Sequence, residues 1–252
     1  MDSKQKNKLI HKFRISHKRL VLIDYDGTLV NYELIPDNAR LPEHMIDILL
    51  KIAGDPKNDI YIISGRGHDD LDKLLGHIPV RIVAEHGAIV KENGQWKNQF
   101  ANNGQWKKII FPVLNQMTDA CPGSFTEEKS FSLAWHYRNT VPGLGLECSR
   151  KLIDLLEDII HSYNLRILDG KKVVEILSNE TGKGIAVEKL SNQNSYDFVL
   201  SIGDDATDEE MFGYFLNYPD AYSIKVGEGN TCAKYNLKEI SDVESLLKQL
   251  SG

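Results

Sequence analysis

Cysteine is scarce in this chain of 252 residues. The three present, Cys121, Cys148 and Cys232, are odd in number and far apart in sequence. That argues against a disulfide framework, and no spacing suits a thiolate metal site. Reduced cysteines of this kind point to an intracellular, cytoplasmic setting. Long apolar runs are also missing, so no segment is expected to cross a membrane. Residues 1–19 are rich in Lys, Arg and His but lack the apolar centre of a signal peptide, and they read as a solvated helix. There is no excess of positive charge: the formal net charge is −6, which argues against nucleic acid as a partner. No internal repeat and no low-complexity segment interrupts the chain. With 41% hydrophobic and 26% charged residues, it reads as a folded soluble protein, with room for one large domain or a core carrying a sizeable insertion.

The organising stretch is Leu-Val-Leu-Ile-Asp-Tyr-Asp-Gly-Thr-Leu, residues 20–29. Its four apolar residues read as a strand buried on both faces. The strand runs into Asp24 and Asp26. Two carboxylates at the carboxyl end of a buried strand are costly unless a cation meets them, and open α/β sheets place their ligands at such ends. An ordinary Asp-Gly turn is the plain alternative.

The rest of the chain supplies matching ends. A helix over 4–14 precedes the strand, with Leu9, Ile10 and Phe13 on one face, and a helix opening at Pro42 follows it. Its apolar stripe is Met45, Ile46, Leu49, Leu50 and Ile52. A second strand, 60–63, ends at Ser64-Gly65-Arg66. A helix follows over 67–75, and a third strand, 81–84, ends at Glu85-His86-Gly87. Asn93-Gly94 then marks a hairpin. Alternating strands and helices imply a parallel sheet.

Near residue 103 the rhythm changes. A helix over 106–117, strands over 124–128 and 131–138, a helix over 146–163, and two strands around Asp169-Gly170 give α-β-β-α-β-β. The long helix buries Leu152, Leu155, Leu156, Ile159 and Ile160 in this reading. This α+β unit reads as an insertion, with core at 1–102 and 180–252 and the inserted domain at 103–179. The core pattern resumes at Gly182-Lys183-Gly184. A strand over 198–202 ends at Gly203-Asp204-Asp205, a helix over 207–216 and a strand over 221–226 follow, and Ser241-Asp242-Val243-Glu244 matches a capping box.

Several carboxylates, a serine hydroxyl and a lysine thus collect at one side of a parallel sheet. Crowded carboxylates raise each other's pKa unless a cation is bound. Oxygen ligands without His or Cys select a hard ion, Mg²⁺ first. Such an ion beside a lysine and a hydroxyl handles phosphoryl groups, and one aspartate can attack phosphorus.

Asp-x-Asp-Gly-Thr, then Ser, then Lys, then Gly-Asp-Asp-x-x-Asp resembles the haloacid dehalogenase superfamily of phosphatases. The resemblance implies a haloacid-dehalogenase-like Rossmannoid α/β core, a parallel sheet with an inserted α+β (αββαββ) cap. It implies Asp24 as nucleophile, Asp26 as general acid and then base, and Ser64 and Lys183 on the phosphoryl group. Mg²⁺ would be held by Asp24, Asp26 through its carbonyl, and Asp204, supported by Asp205 and Asp208. The segment Lys129-Ser-Phe-Ser-Leu-Ala-Trp-His-Tyr-Arg138, with Tyr25, Ser64-Gly65-Arg66 and Glu85-His86-Gly87, is similar to the trehalose-6-phosphate phosphatase family. That family recognises the distal glucose with residues matching Glu127, Lys129 and Glu175, and Arg138, Arg66 and His86 are further candidates near the sugar phosphate. Residues 176–181 depart from the family's pattern. The expected activity is hydrolysis of trehalose 6-phosphate, without nucleic-acid or membrane partners and with possible fusion to, or association with, a trehalose-6-phosphate synthase. The alternatives are another capped sugar phosphatase, of sucrose-phosphate or mannosyl-phosphoglycerate type, and a catalytically silent regulatory domain of a trehalose synthase.

Overall fold

The computed structural model describes residues 1–33, 35–101, 104–141 and 143–252. Helix α1 (Ser3–Ile15) turns Leu9, Ile10 and Phe13 inward. Then come β1 (Arg19–Asp24), α2 (Glu43–Gly54), β2 (Asn58–Ile63), α3 (His68–Leu75) and β3 (Arg81–Ala84). Strands β4 (Ile89–Glu92) and β5 (Gln95–Asn98) form the expected hairpin, with Asn93 and Gly94 both at positive φ (51° and 76°), as a tight primed turn requires. The next stretch contains α4 (Lys107–Ala120), β6 (Phe125–Glu128), β7 (Ser132–His136), α5 (Leu144–Ser162), β8 (Leu165–Gly170) and β9 (Val173–Ser178). Helix α6 (Lys183–Ser191), β10 (Phe198–Gly203), α7 (Ala206–Tyr214), β11 (Ala221–Val226), β12 (Tyr235–Leu237) and α8 (Ile240–Leu250) complete the chain.

Two compact units result: a core unit of residues 1–99 and 182–252, and an inserted unit of residues 100–181. The expected boundary at 102 and 103 falls on Asn102 and Asn103, outside the described residues. The second boundary lies after Thr181 rather than 179. Thr181 is tied back into the inserted unit by its N–H and hydroxyl on the Ser178 carbonyl (3.1 and 2.8 Å), and by Arg166 on its own carbonyl (2.8 Å).

In the core unit an eight-stranded sheet runs β12-β11-β10-β1-β2-β3-β4-β5. It is parallel from β12 to β3, and the hairpin strands are antiparallel. All six residues of each of β1, β2, β10 and β11 are buried, which is why these strands read as continuous apolar runs. Strand order reverses between β1 and β10. That junction is the crevice where doubly wound sheets bind ligands, and Asp24 is the last residue of β1.

The inserted unit is a four-stranded antiparallel sheet, β6-β7-β9-β8. Leu133, Trp135, Val174 and Ile176 point to the α4 and α5 side, where they meet Ile110, Leu114, Leu152 and Leu156. Residues directly opposite on neighbouring strands share a face, so Glu127, Ala134 and Glu175, paired in register across β6, β7 and β9, form one row on the other face.

Sequence expectations change at Leu50, which lies off the buried stripe of α2 and is 39% exposed, and at further places. Leu155 is 58% exposed, because the buried stripe of α5 runs through Cys148, Ser149, Leu152 and Leu156 and leaves Leu155 outside it. Asp169 and Gly170 belong to β8, and the turn follows them, with Lys172 at φ 61°. Ser241 does not cap α8: its hydroxyl is spent on Glu239 (2.8 Å), and the helix begins one residue earlier. Cys121 and Cys148, distant in sequence, share one buried cluster as free thiols, and burial pushes Cys121 up to about 11, with Cys148 as its hydrogen-bonding neighbour. No helix among the described residues is long and apolar enough to cross a membrane.

Candidate active site

The core cluster is built by four strand ends and two helix starts. Lys183, the first residue of α6, is 2% exposed, and its Nζ lies 2.7 Å from Asp24 Oδ1 and 2.8 Å from Asp208 Oδ1. Asp24, Asp204 and Asp208 each present an oxygen within 4.8 Å of the others. Asp24 Oδ2 is buried without a hydrogen-bond partner among the described residues. Asp208 Oδ2 accepts from the N–H groups of Asp204 (2.9 Å) and Asp205 (3.0 Å), locking the loop after β10. Asp205 serves α7: its side chain accepts from the N–H groups of Thr207 and Asp208 in a reciprocal capping box. Its carboxylate is therefore turned to the helix, in keeping with a supporting role.

Electrostatics reports what this crowding costs. Burial, reinforced by the neighbouring aspartates, pushes Asp24 well above the usual carboxylate range despite Lys183. Burial likewise raises Asp208 to about 6. Asp205 goes the other way, to about 2: its burial is outweighed by Lys183 and by its bonds to Thr207. Lys183 is buried too, but Asp208 and Asp24 hold it well above its usual value, so it stays charged. Lys183 bonds two of the three clustered carboxylates, Asp24 and Asp208. The orphaned Asp24 oxygen and the all-carboxylate donor set fit a hard divalent cation.

Around this cluster, Arg66 donates to both Asp26 oxygens, Nε to Oδ2 at 2.6 Å and Nη2 to Oδ1 at 2.7 Å, and also to the Pro36 carbonyl (3.0 Å). Ser64, buried after β2, accepts the Arg66 N–H on its hydroxyl (3.1 Å). His86 is buried at positive φ (54°) and sits on Gly65, where an added Cβ would come within 2.5 Å of the imidazole. Gly65 is therefore the residue that lets the ring approach.

The inserted unit holds a second polar cluster. Lys129 Nζ and Ser132 Oγ both reach Glu175 Oε1, at 2.8 and 2.6 Å, and all three residues are largely buried. His136 Nε2 lies 2.8 Å from Glu127 Oε2, and its ring stacks on Phe125 with centroids 4.7 Å apart. Burial opposes ionisation of Glu127, but His136 and Lys129 outweigh it and hold its carboxyl below the usual range. Arg138 lies beyond the end of β7 rather than on the strand. Lys107 props the turn from below, bonding to the carbonyls of Lys129 and Ser130. Ser132 and Lys107 were not singled out from sequence. Ser132 is two residues before Ala134 on the Glu175 face, a signal that strand alternation carried; Lys107 left none.

The family model for trehalose-phosphatase matches residues 22–241. The chain is 38% identical over 251 residues to the bifunctional trehalose-6-phosphate synthase/phosphatase of Thermoproteus tenax, covering 99% of this chain and 34% of that one. It is 33% identical over 287 residues to a trehalose-phosphatase of Saccharomyces cerevisiae, covering 97% and 32%. It thus spans about a third of the length of these curated relatives. Among solved structures, the C-terminal domain of C. albicans trehalose-6-phosphate phosphatase matches with a TM-score of 0.90 at 31% identity, covering 98% of this chain and 96% of that one.

Proposed function

The chain belongs to the trehalose-phosphatase family, and on that premise we propose that it is a Mg²⁺-dependent phosphatase releasing phosphate from trehalose 6-phosphate through a phosphoryl-aspartate. The observation that carries this reading is the Asp24–Lys183–Asp208 cluster with its orphaned Asp24 oxygen, at the switch point of the sheet. A carboxylate oxygen of Asp24 attacks phosphorus, and that oxygen–phosphorus bond forms as the bond from phosphorus to the sugar oxygen breaks. Asp26 gives its proton to the departing alkoxide, then takes one from the water that cleaves the phosphoryl-aspartate. Lys183 and the Ser64 hydroxyl donate to the phosphoryl oxygens.

A guanidinium bonded to both oxygens suits a carboxylate without its proton. The acid step therefore requires Arg66 to leave Asp26, and the dianionic phosphate of the substrate is a competing partner for it. Asp24, Asp204 and Asp208, with the Asp26 carbonyl and with Asp205 in support, would hold Mg²⁺, which would supply positive charge to keep Asp24 ionised and to neutralise phosphoryl oxygens.

For the sugar, the same reading assigns Glu127, Lys129 and Glu175 to hydroxyl groups, with Arg138, Arg66 and His86 near the ester. Carboxylates accept from hydroxyls and lysine donates to them. The three unpaired cysteines suit a reducing, cytoplasmic compartment. The bifunctional relative supports fusion to, or association with, a trehalose-6-phosphate synthase. The test is an acid quench during turnover, followed by mass spectrometry of the peptide holding residue 24. A phosphoryl group on Asp24, absent in a folded Asp24→Asn variant without activity, supports the proposal. Turnover retained by that variant refutes it.

A further inference from the structure

Asp204 is held from four sides, and one of the groups holding it has no place in the chemistry described so far. Its N–H donates to Asp208 Oδ2 (2.9 Å), and its carbonyl accepts from Lys225 Nζ (2.5 Å), so its main chain is fixed. Its side chain lies flat on Gly27, where an added Cβ would stand 2.5 Å from the carboxylate carbon and both oxygens. Gly27 also has a positive φ of 86°, so the position is closed to other residues on two counts. From the loop after β1, the Tyr32 hydroxyl approaches both oxygens of the same carboxylate, Oδ1 at 3.2 Å and Oδ2 at 3.1 Å. Tyr32 is 41% exposed, so its ring contributes little to the core, yet its hydroxyl is directed at a cation-ligand candidate.

We propose that Tyr32 is a positioning residue for the divalent cation, holding the Asp204 carboxylate in the orientation in which it can share the ion with Asp24 and Asp208. The inference rests on the reading of those three aspartates as a cation site. An ionised carboxylate offers about four lone-pair sites, and a hydroxyl has one proton to give. Tyr32 therefore occupies at most one of those sites and leaves the others to the ion. Oriented donors around a ligand tune metal affinity by about 10- to 100-fold.

The experiment compares the whole chain with its Tyr32→Phe variant, using Mg²⁺ alone as the probe. Binding is read by titration calorimetry and by the rise of the melting temperature with Mg²⁺. The proposal expects equal melting temperatures without Mg²⁺ and a half-saturating concentration raised by about 10-fold or more in the variant. It also expects phosphate release to recover in the variant at high Mg²⁺. Equal half-saturation in the two proteins overturns it, and tighter binding by the variant overturns it in favour of a hydroxyl that plugs the site. A wild type that binds no Mg²⁺ overturns both this inference and the cation site beneath it, whereas a weakened Mg²⁺ affinity of the variant supports the inference whatever ester the enzyme prefers.

Discussion

Replacing Lys183 with methionine removes a cation that touches both Asp24 and Asp208 while keeping a side chain of similar length. Lys183 is 2% exposed and bonds Asp24 at 2.7 Å and Asp208 at 2.8 Å, so water cannot take its place easily. Breaking a buried ion pair by deleting one partner costs about 3–5 kcal/mol. The cost must depend on pH, and its sign follows from the carboxyls. Burial pushes the Asp208 carboxyl up to about 6 in the folded chain, above the usual carboxylate value of about 4. A folded carboxyl with a raised pKa binds protons that the unfolded chain releases, so its contribution falls as pH rises from about 4 to about 6, by about 3 kcal/mol. Without Lys183 the pKa values of Asp208 and Asp24 rise further, and the loss extends to higher pH. Urea unfolding of wild type and Lys183→Met without Mg²⁺ should show a gap of about 3–5 kcal/mol near pH 7.5, shrinking to less than about half of that near pH 5, where protons replace the lysine charge. Mg²⁺ should restore part of the stability of the variant at the higher pH but none of its phosphatase activity. A gap independent of pH, or a variant as stable as the wild type throughout, would refute the electrostatic account of the cluster.

Other perturbations read other parts of the chain. Asp59, at the opposite end of β2 from Ser64, accepts from Lys18 (2.8 Å), Arg81 (2.6 Å) and Tyr196 (2.8 Å), which outweigh its burial and lower its pKa. A depressed folded pKa stabilises above the unfolded value and is lost on acidification, so the stability gap between wild type and Asp59→Asn should be about 1–3 kcal/mol near pH 7 and close below about pH 4. Glu175→Gln removes the charge that Lys129 and Ser132 meet; KM for trehalose 6-phosphate should rise by about 10-fold or more, with hydrolysis of a small aryl phosphate unchanged. Leu152→Ala opens the fully buried centre of the inserted unit and should cost that unit about 2–5 kcal/mol in denaturant unfolding, with Mg²⁺ affinity of the chain unaltered.

The parts of the fold legible in the sequence were those where burial and chemistry coincide. Leu20 to Ile23 sit on a strand buried on both faces, so the run was continuous and its polar end conspicuous. The same holds for Ile60 to Ile63 before Ser64 and for Phe198 to Ile202 before Asp204. Asn93-Gly94 marked its hairpin because few other residues accept two positive φ values in succession. Periodicity was weaker where a helix is covered on one narrow stripe: Leu155 and Leu50 (39% exposed) share the spacing of core residues without being in the core. Strand β12 is three residues long and gives no pattern to read. Tyr32 was invisible for a different reason. Its role depends on where a loop crosses the end of β10, and loop paths are set by tertiary packing rather than by local composition. The Cys121–Cys148 neighbourhood is likewise a product of how α4 and α5 pack.

The substrate is the claim on which the assignment of both polar clusters depends. Phosphate release should be measured from trehalose 6-phosphate, with and without Mg²⁺, beside glucose 6-phosphate and sucrose 6-phosphate. The account predicts release from the trehalose ester alone, and only with Mg²⁺. Release from a different ester would keep the chemistry of Asp24 and Lys183 and contradict the roles given to Glu127, Lys129 and Glu175. No release from any ester, by a folded chain that binds Mg²⁺, would contradict the catalytic reading itself and leave a regulatory domain in its place.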